Sequence, residues 1–319
     1  MPNATKSAIP DNSFLSRVFS HDEAKKREGF LSELLKRYSI VVPLILVEEV
    51  VIGLARPKNP ARAHVARIVA EFLACHSASW IEDDVEIVFQ ELVLRRPICH
   101  FPPLPKELME KIGELSPNAP DLVAWVESLG KRKHDTVFKK RDFQNGLVPE
   151  GSESCFECPA AFMKESIYPF FQVTMRDASA KREMLEAYFG IFFRRRHPDQ
   201  ADKIDSAFES YGLDTLERFP FTTAWLIVHF TYMRAPLVKV GAERQRRSLP
   251  CLIGRGKAQI NNDSDEKYVI AAMMCDRILT CDEGMRNVVE AVRASGFWLG
   301  QVVYFQPREE LTGQISKLV

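Results

Sequence analysis

Two rhythms of apolar and polar residues run along this chain, and where they change predicts its architecture. From Asp22 to Tyr38 the apolar residues Phe30, Leu31, Leu34 and Leu35 recur at helical spacing on one face of a charged segment. Ser39-Ile40-Val41-Val42 is short, apolar and β-branched, which predicts a buried strand. Pro43 can open the next helix, which carries Leu46 to Leu54. The run Arg56-Pro57-Lys58-Asn59-Pro60 breaks that helix. Ahead of all these, Ala8-Ile9 before Pro10-Asp11 is a very short strand candidate.

Helices are expected over Ala61 to Cys75, Asp84 to Arg95, Lys106 to Leu115 and Ala119 to Leu129, the last ended by Gly130. The stretch from Lys131 to Gly151 is polar and basic and reads as a loop. Pro159 to Arg196 and Pro198 to Val238 read as mainly helical and rich in aromatics. Phe221 to Met233 is apolar nearly all round, as a central helix of such a region should be. Alternation of helix and strand resumes after Gly241. A helix is expected over Asp265 to Cys275, a strand over Arg277 to Thr280, a helix over Gly284 to Ser295 and a strand over Val302 to Phe305. The order predicts an α/β fold, a parallel sheet flanked by helices. Both chain ends build it, residues 1–60 and 241–319, around a long and mainly helical insertion over residues 61–240.

Composition narrows the function. The 319 residues are 46% hydrophobic, with 43 Lys+Arg against 43 Asp+Glu, so the net charge is +0. A general polyanion-coating role is excluded, and any nucleic-acid contact must use local basic patches. Four such clusters occur: Lys131-Arg132-Lys133-His134, Lys139-Lys140-Arg141, Arg194-Arg195-Arg196-His197, and Arg244 through Arg247. Phe138 and Phe143 flank the second and offer base stacking. Lys139, Lys140, Arg141 and Arg244 are therefore the candidate phosphate-binding residues. Met1 to Ser20 has no apolar core of signal-peptide type. The longest apolar runs are interrupted by acids or too short to span a bilayer. A soluble, cytoplasmic protein with no membrane contact is expected. The seven cysteines are odd in number and sit mostly in apolar surroundings, which suits reduced thiols. Cys155-Phe156-Glu157-Cys158 is one Cys-x-x-Cys without a second close pair, and it reads as two ordinary thiols rather than a zinc site. Gly-x-Ser-x-Gly is absent, so a serine hydrolase is not supported.

The acids carry the chemistry. Asp265 has the character of a helix N-cap, followed by an apolar face of Tyr268, Val269, Ala272 and Met273. Asp282 follows the strand Arg277-Ile278-Leu279-Thr280 at its carboxyl end, where open α/β sheets place their ligand sites. Two carboxylates are thus expected at one crevice, where they must share a cation or repel.

With these features the chain resembles the PIN-domain nucleases in four places. Asp11-Asn12-Ser13-Phe14-Leu15 is similar to the first motif, an acid ending strand one. Pro43 to Val50 is similar to the second, with Glu49 in register and Glu48 as the fallback. Asp265 followed by Tyr268-Val269-Ile270-Ala271-Ala272 resembles the third, with Asp263 competing for the position. Ile278-Leu279-Thr280-Cys281-Asp282 resembles the fourth. The resemblance covers roughly the first sixty and last eighty residues. It implies a Mg²⁺- or Mn²⁺-dependent nuclease, an endoribonuclease acting on RNA or single-stranded nucleic acid. Asp11, Glu49, Asp265 and Asp282 would be its metal ligands and catalytic acids, and Ser13 and Thr280 would support them. The residues alone point the same way, because four carboxylates in one crevice cannot all stay ionised without cations, and hard oxygen ligands suit Mg²⁺ or Mn²⁺. Two other readings stand beside this one. One is a non-catalytic scaffold that binds a protein partner, or a second copy, through the aromatic-rich insertion. The other is a nuclease effector held silent in a toxin or defence assembly.

Overall fold

The computed structural model describes residues 6–20, 24–55, 60–81, 84–97, 101–105, 110, 114, 168–212, 218–228, 258–293, 300–306, 309–310 and 312–318. Five strands form one sheet: β1 (Lys6–Pro10), β2 (Tyr38–Pro43), β3 (Ser77–Ile81), β4 (Arg277–Thr280) and β5 (Gln301–Tyr304). Their spatial order is β3-β2-β1-β4-β5. Every pairing is parallel. The protein is therefore an α/β fold with an all-parallel sheet flanked by helices.

Burial explains why the strands are legible in the sequence. A parallel sheet covered by helices has no wet face, so its strands are continuous apolar runs. Ala8 and Ile9 of β1, Ile40 and Val42 of β2, and Ile278 and Leu279 of β4 are all 0% exposed. Pro10 ends the central strand without harm. Its missing N–H would point toward β2, but pairing with β2 runs only from Lys6↔Tyr38 to Ala8↔Ile40. On the other side the ladder continues, because the Asp11 N–H donates to the Leu279 carbonyl at 2.9 Å.

The amino-terminal helices are α1 (Asn12–Ser20), α2 (Ala24–Arg37), α3 (Leu44–Ala55) and α4 (Pro60–His76). Phe14 of α1 packs on Phe30 of α2 and on Phe305 beyond β5, with ring centroids 6.0 and 4.9 Å apart. The final 3₁₀ segment (Thr312–Leu318) joins this layer, where the Tyr38 hydroxyl donates to the Leu318 carbonyl at 2.8 Å. Both ends of the chain therefore share one core.

One expectation needs correction. The sheet does not stop at residue 60, since β3 adds an edge strand parallel to β2 from inside the stretch assigned to the insertion. Ser77-Ala78-Ser79-Trp80-Ile81 carries no strong alternation, and its pairing is decided by β2 and by the segment beyond it. The Trp80 N–H donates to the Pro102 carbonyl at 2.8 Å, which covers the sheet edge.

The other longer elements described between β3 and residue 228 are helical: α5 (Asp84–Leu92), α6 (Tyr168–Arg176), α7 (Ala178–Leu185), a π-helical turn (Glu186–Gly190), α8 (Ile191–Arg196), α9 (Ala201–Ser210) and α10 over 220–228. The last helix before β4 is α11 (Ala258–Ala272), and α12 (Glu283–Arg293) links β4 to β5. Every residue of 221–228 is buried, as expected for a central helix. Its amino terminus is capped from a distance. The fully buried Glu91 carboxylate accepts from the Thr222 N–H at 2.7 Å and the Thr222 hydroxyl at 2.9 Å. The Trp225 indole N–H donates to Asp84 at 2.9 Å, a second tie between α10 and α5. Of the helix expected over 106–115 only residues 110 and 114 are described, both helical, and the helix over 119–129 and the loop over 131–151 lie outside the described residues.

Candidate functional site

Winding outward from β1 to β2 and β3, the chain then returns to β4 on the opposite side of β1. The direction of winding reverses between β1 and β4. In open α/β sheets the crevice at that point, beyond the carboxyl ends of the strands, is the usual ligand site. Asp11 ends β1 and Asp282 follows β4, so the topology itself sets two acids there.

Asp11 is 3% exposed. Its Oδ1 accepts from the Phe14 N–H at 2.7 Å, which caps α1. The Ser13 hydroxyl lies 2.8 and 2.9 Å from the two carboxylate oxygens. Thr280 Oγ1 donates to Asp11 Oδ2 at 2.5 Å and accepts from the Asp282 N–H at 2.8 Å. Ser13 Oγ accepts from the Cys281 N–H at 3.0 Å. Two hydroxyls thus bridge the ends of β1 and β4 and hold Asp11 in one orientation. Asp282 is exposed, and its Oδ1 caps α12 by accepting from the Met285 N–H at 3.0 Å.

Glu49 on α3 and Asp265 on α11 complete the group. Glu49 is partly exposed and its Oε2 accepts from the Tyr268 hydroxyl at 2.9 Å. Its neighbour Glu48 is 4% exposed. The Glu49 charge acts on the Asp265 carboxyl and on the Tyr268 phenol. Asp265 departs from its expected place. The helix begins at Ala258, about two turns earlier, so Asp265 is a mid-helix residue and not the N-cap. Its carboxylate has no capping duty there. The side chain of Asp263 lies outside the described residues.

Electrostatics ties the four acids together. Burial pushes the Asp265 carboxyl up to about 7, and the charges of Asp282, Glu49, Asp11 and Glu266 push it in the same direction. Burial likewise raises Asp11 to about 6, against the bonds from Thr280, Phe14 and Ser13 and with help from Asp282. The Tyr268 phenol is raised well above its ordinary value, first by burial and then by Glu49 and Asp11. Cys281 is pushed up to about 12, mainly by burial, so it stays a neutral thiol and not a nucleophile. Among the described residues, no three His, Cys, Asp or Glu side chains already form a ready-made metal cage. The acids are close enough to feel one another without converging on one point.

Sequence reasoning missed two members of this environment. Tyr268 reads in the sequence as part of the apolar face of its helix, yet it lies three residues after Asp265 and shares that residue's side of α11. Glu266 is buried at 6% and adds negative field. Its charge also reaches Tyr188 in the π-helical turn, so the helical region stands beside the site.

The basic candidates divide. Lys139, Lys140, Arg141 and Arg244 lie outside the described residues, as do Cys155 and Cys158. The cluster at 194–197 is described, and two of its members serve internal ties. Arg194 pairs with Glu186 and, at 2.8 Å, with Asp205. His197 lies 3.0 Å from Glu86 and stacks on Phe89 with centroids 3.7 Å apart.

The Thr280 hydroxyl is the hinge of the network. Thr280→Val keeps the shape but strips a donor from buried Asp11 and an acceptor from the Asp282 N–H. The expected cost is about 2 kcal/mol, read as a lower urea midpoint at pH 7. A loss under about 0.5 kcal/mol, the scatter of ordinary surface changes, would show that the bridge holds nothing.

Compared with known proteins, the chain matches no family model, no curated protein and no solved structure. Among the described residues, no helix is long and apolar enough to cross a membrane.

Proposed function

We propose that this chain is a metal-dependent nuclease with a PIN-like α/β domain, an endoribonuclease that hydrolyses phosphodiester bonds in RNA or single-stranded nucleic acid. The observation that supports the reading is the placing of Asp11 and Asp282 at the switch point, with Asp11 and Asp265 raised first by burial and then by neighbouring acids, Asp282 acting on both and Glu49 on Asp265. A cluster of acids held in that state is short of positive charge. Its donors are all carboxylate oxygens, which fit Mg²⁺ or Mn²⁺ and not a soft metal. The four acids would hold the ion, with Ser13 and Thr280 fixing the angle of Asp11. When bound, such an ion activates water and stabilises charge developing on phosphate oxygens. Lys139, Lys140, Arg141 and Arg244 would follow the substrate backbone. The PIN-like unit would comprise the two chain ends, extended through β3, and the helical insertion would select substrate. The setting would be the cytoplasm, in a housekeeping role or as an effector silenced in an assembly.

The scaffold reading draws less support. Of the aromatics in 162–193 whose side chains are described, Tyr188, Phe189 and Phe193 are buried and Phe192 is partly exposed. Phe189 lies 4.4 Å from Trp225 and 5.4 Å from Phe193, ring to ring. These aromatics form the core of the helical region.

The test is cleavage of labelled single-stranded RNA with Mn²⁺, and with EDTA as control. Cleavage that requires the metal is expected. Its absence from folded, metal-loaded protein would overturn the proposal.

A further inference from the structure

Tyr268 and Glu49 are separated by 219 positions in the chain and meet at 2.9 Å between two helices. Tyr268 is 2% exposed, so its hydroxyl is inside the protein. A buried phenol finds a partner because an unpaired one is costly. Here it has taken one oxygen of an acid in the candidate centre. The geometry constrains both helices. Asp265 and Tyr268 are one turn apart on the same side of α11, and Glu49 reaches toward them from α3. A glutamate has three rotatable bonds and, unrestrained, samples many rotamers. The bond removes that freedom at Oε2. Asp11 is held by Ser13 and Thr280, and Asp282 by its capping role. For Glu49 the Tyr268 hydroxyl is such a restraint.

We infer that Tyr268 is a positioning residue of the acidic centre, whose hydroxyl fixes Glu49 in the orientation that lets it share a divalent cation with Asp265. The inference rests on the metal reading proposed above. Hydrogen-bond partners of ligating carboxylates orient the ligand, and losing one typically costs 10–100-fold in metal affinity or activity. Phenylalanine would keep the ring and its packing and remove only the hydroxyl.

Mn²⁺ binding to the full chain, followed by titration calorimetry, tests this in four proteins: wild type, Tyr268→Phe, Glu49→Gln and the double variant. Thermal unfolding without metal checks the fold of each. Tyr268→Phe is expected to bind Mn²⁺ about 10–100-fold more weakly than wild type with an unfolding temperature close to it. In the Glu49→Gln background the same change should add almost nothing, since the hydroxyl acts through that carboxylate. Affinity unchanged within about twofold, or an equal loss in both backgrounds, would overturn the positioning role while leaving the metal site standing. A folded wild type that binds no Mn²⁺ would overturn the metal reading itself, and this inference with it. The binding readout does not depend on finding the natural substrate.

Discussion

Asp265→Asn and Asp282→Asn are each expected to cut Mn²⁺-dependent RNA cleavage at least about a hundredfold while the protein stays folded. The size follows from the chemistry. A bound cation is worth several kcal/mol of charge stabilisation on a phosphoryl oxygen, and each 1.36 kcal/mol is tenfold in rate. The folding half follows from position. Asparagine caps helices as well as aspartate does, so Asp282→Asn should keep the bond from the Met285 N–H that starts α12. Asp265 is a mid-helix acid whose charge is opposed by Asp282, Glu49, Asp11 and Glu266, so neutralising it removes repulsion. The metal-free Asp265→Asn protein should unfold at the same temperature as wild type or higher. Parallel measurement of cleavage rate and thermal unfolding separates the two halves. Undiminished cleavage in both variants would sink the assignment of these acids, whatever the fold does.

The second large effect concerns pH and metal together. Asp265 at about 7 and Asp11 at about 6 both lie above the ordinary value of 3.8. Between pH 4 and 7 the folded chain therefore keeps protons that the unfolded chain has released. Stability contributed by these two groups falls as pH rises through that window, by up to about 1.4 kcal/mol per pH unit for each proton retained. Metal-free protein should accordingly withstand less urea at pH 8 than at pH 5. Saturating Mn²⁺ should reverse the trend, because the cation binds the ionised native form and adds its binding free energy to stability. Asp265→Asn deletes one of the groups and should flatten the metal-free profile. Wild type and variant with the same pH dependence would show that Asp265 titrates near its ordinary value, and the case for a charge-starved cluster would weaken.

How far the chain could be read in advance varied with how local each feature is. The strand Arg277–Thr280 appears where expected, because a short apolar run between polar residues has few other homes in a sheet covered on both faces. Helices α2 and α4 likewise fall within a few residues of their expected ends, since an apolar face at helical spacing needs only the chain's own periodicity. Edge strand β3 was not legible. Its residues are only partly apolar, and its pairing depends on β2, thirty-odd positions away.

The site followed the same division. The acids that end strands were legible, because a strand's carboxyl end can be read from its hydrophobic run. Asp265 has the character of an N-cap in the sequence, and the structure puts it in mid-helix. A good capping residue in sequence need not cap when the helix can start earlier, as it does at Ala258. Glu48 and Glu49 could not be separated, since neighbours on a helix differ by about 100° and only packing decides which looks inward.

By itself, then, the sequence determined the α/β class, the order of most elements and four acids worth testing, because local periodicity and strand ends encode these. Tertiary structure alone decided the strand order 3-2-1-4-5, which creates the switch point beneath Asp11 and Asp282. It also decided the burial of Glu48 beside a more open Glu49, the bond from Tyr268, and the raised carboxyls of Asp11 and Asp265. The pairing of β1 with β4, the Tyr268–Glu49 bond, and the charges of Glu49 and Asp11 acting on Asp265 all join groups more than two hundred residues apart in the chain. Burial and charge at such distances are properties of the folded arrangement, and no local pattern carries them.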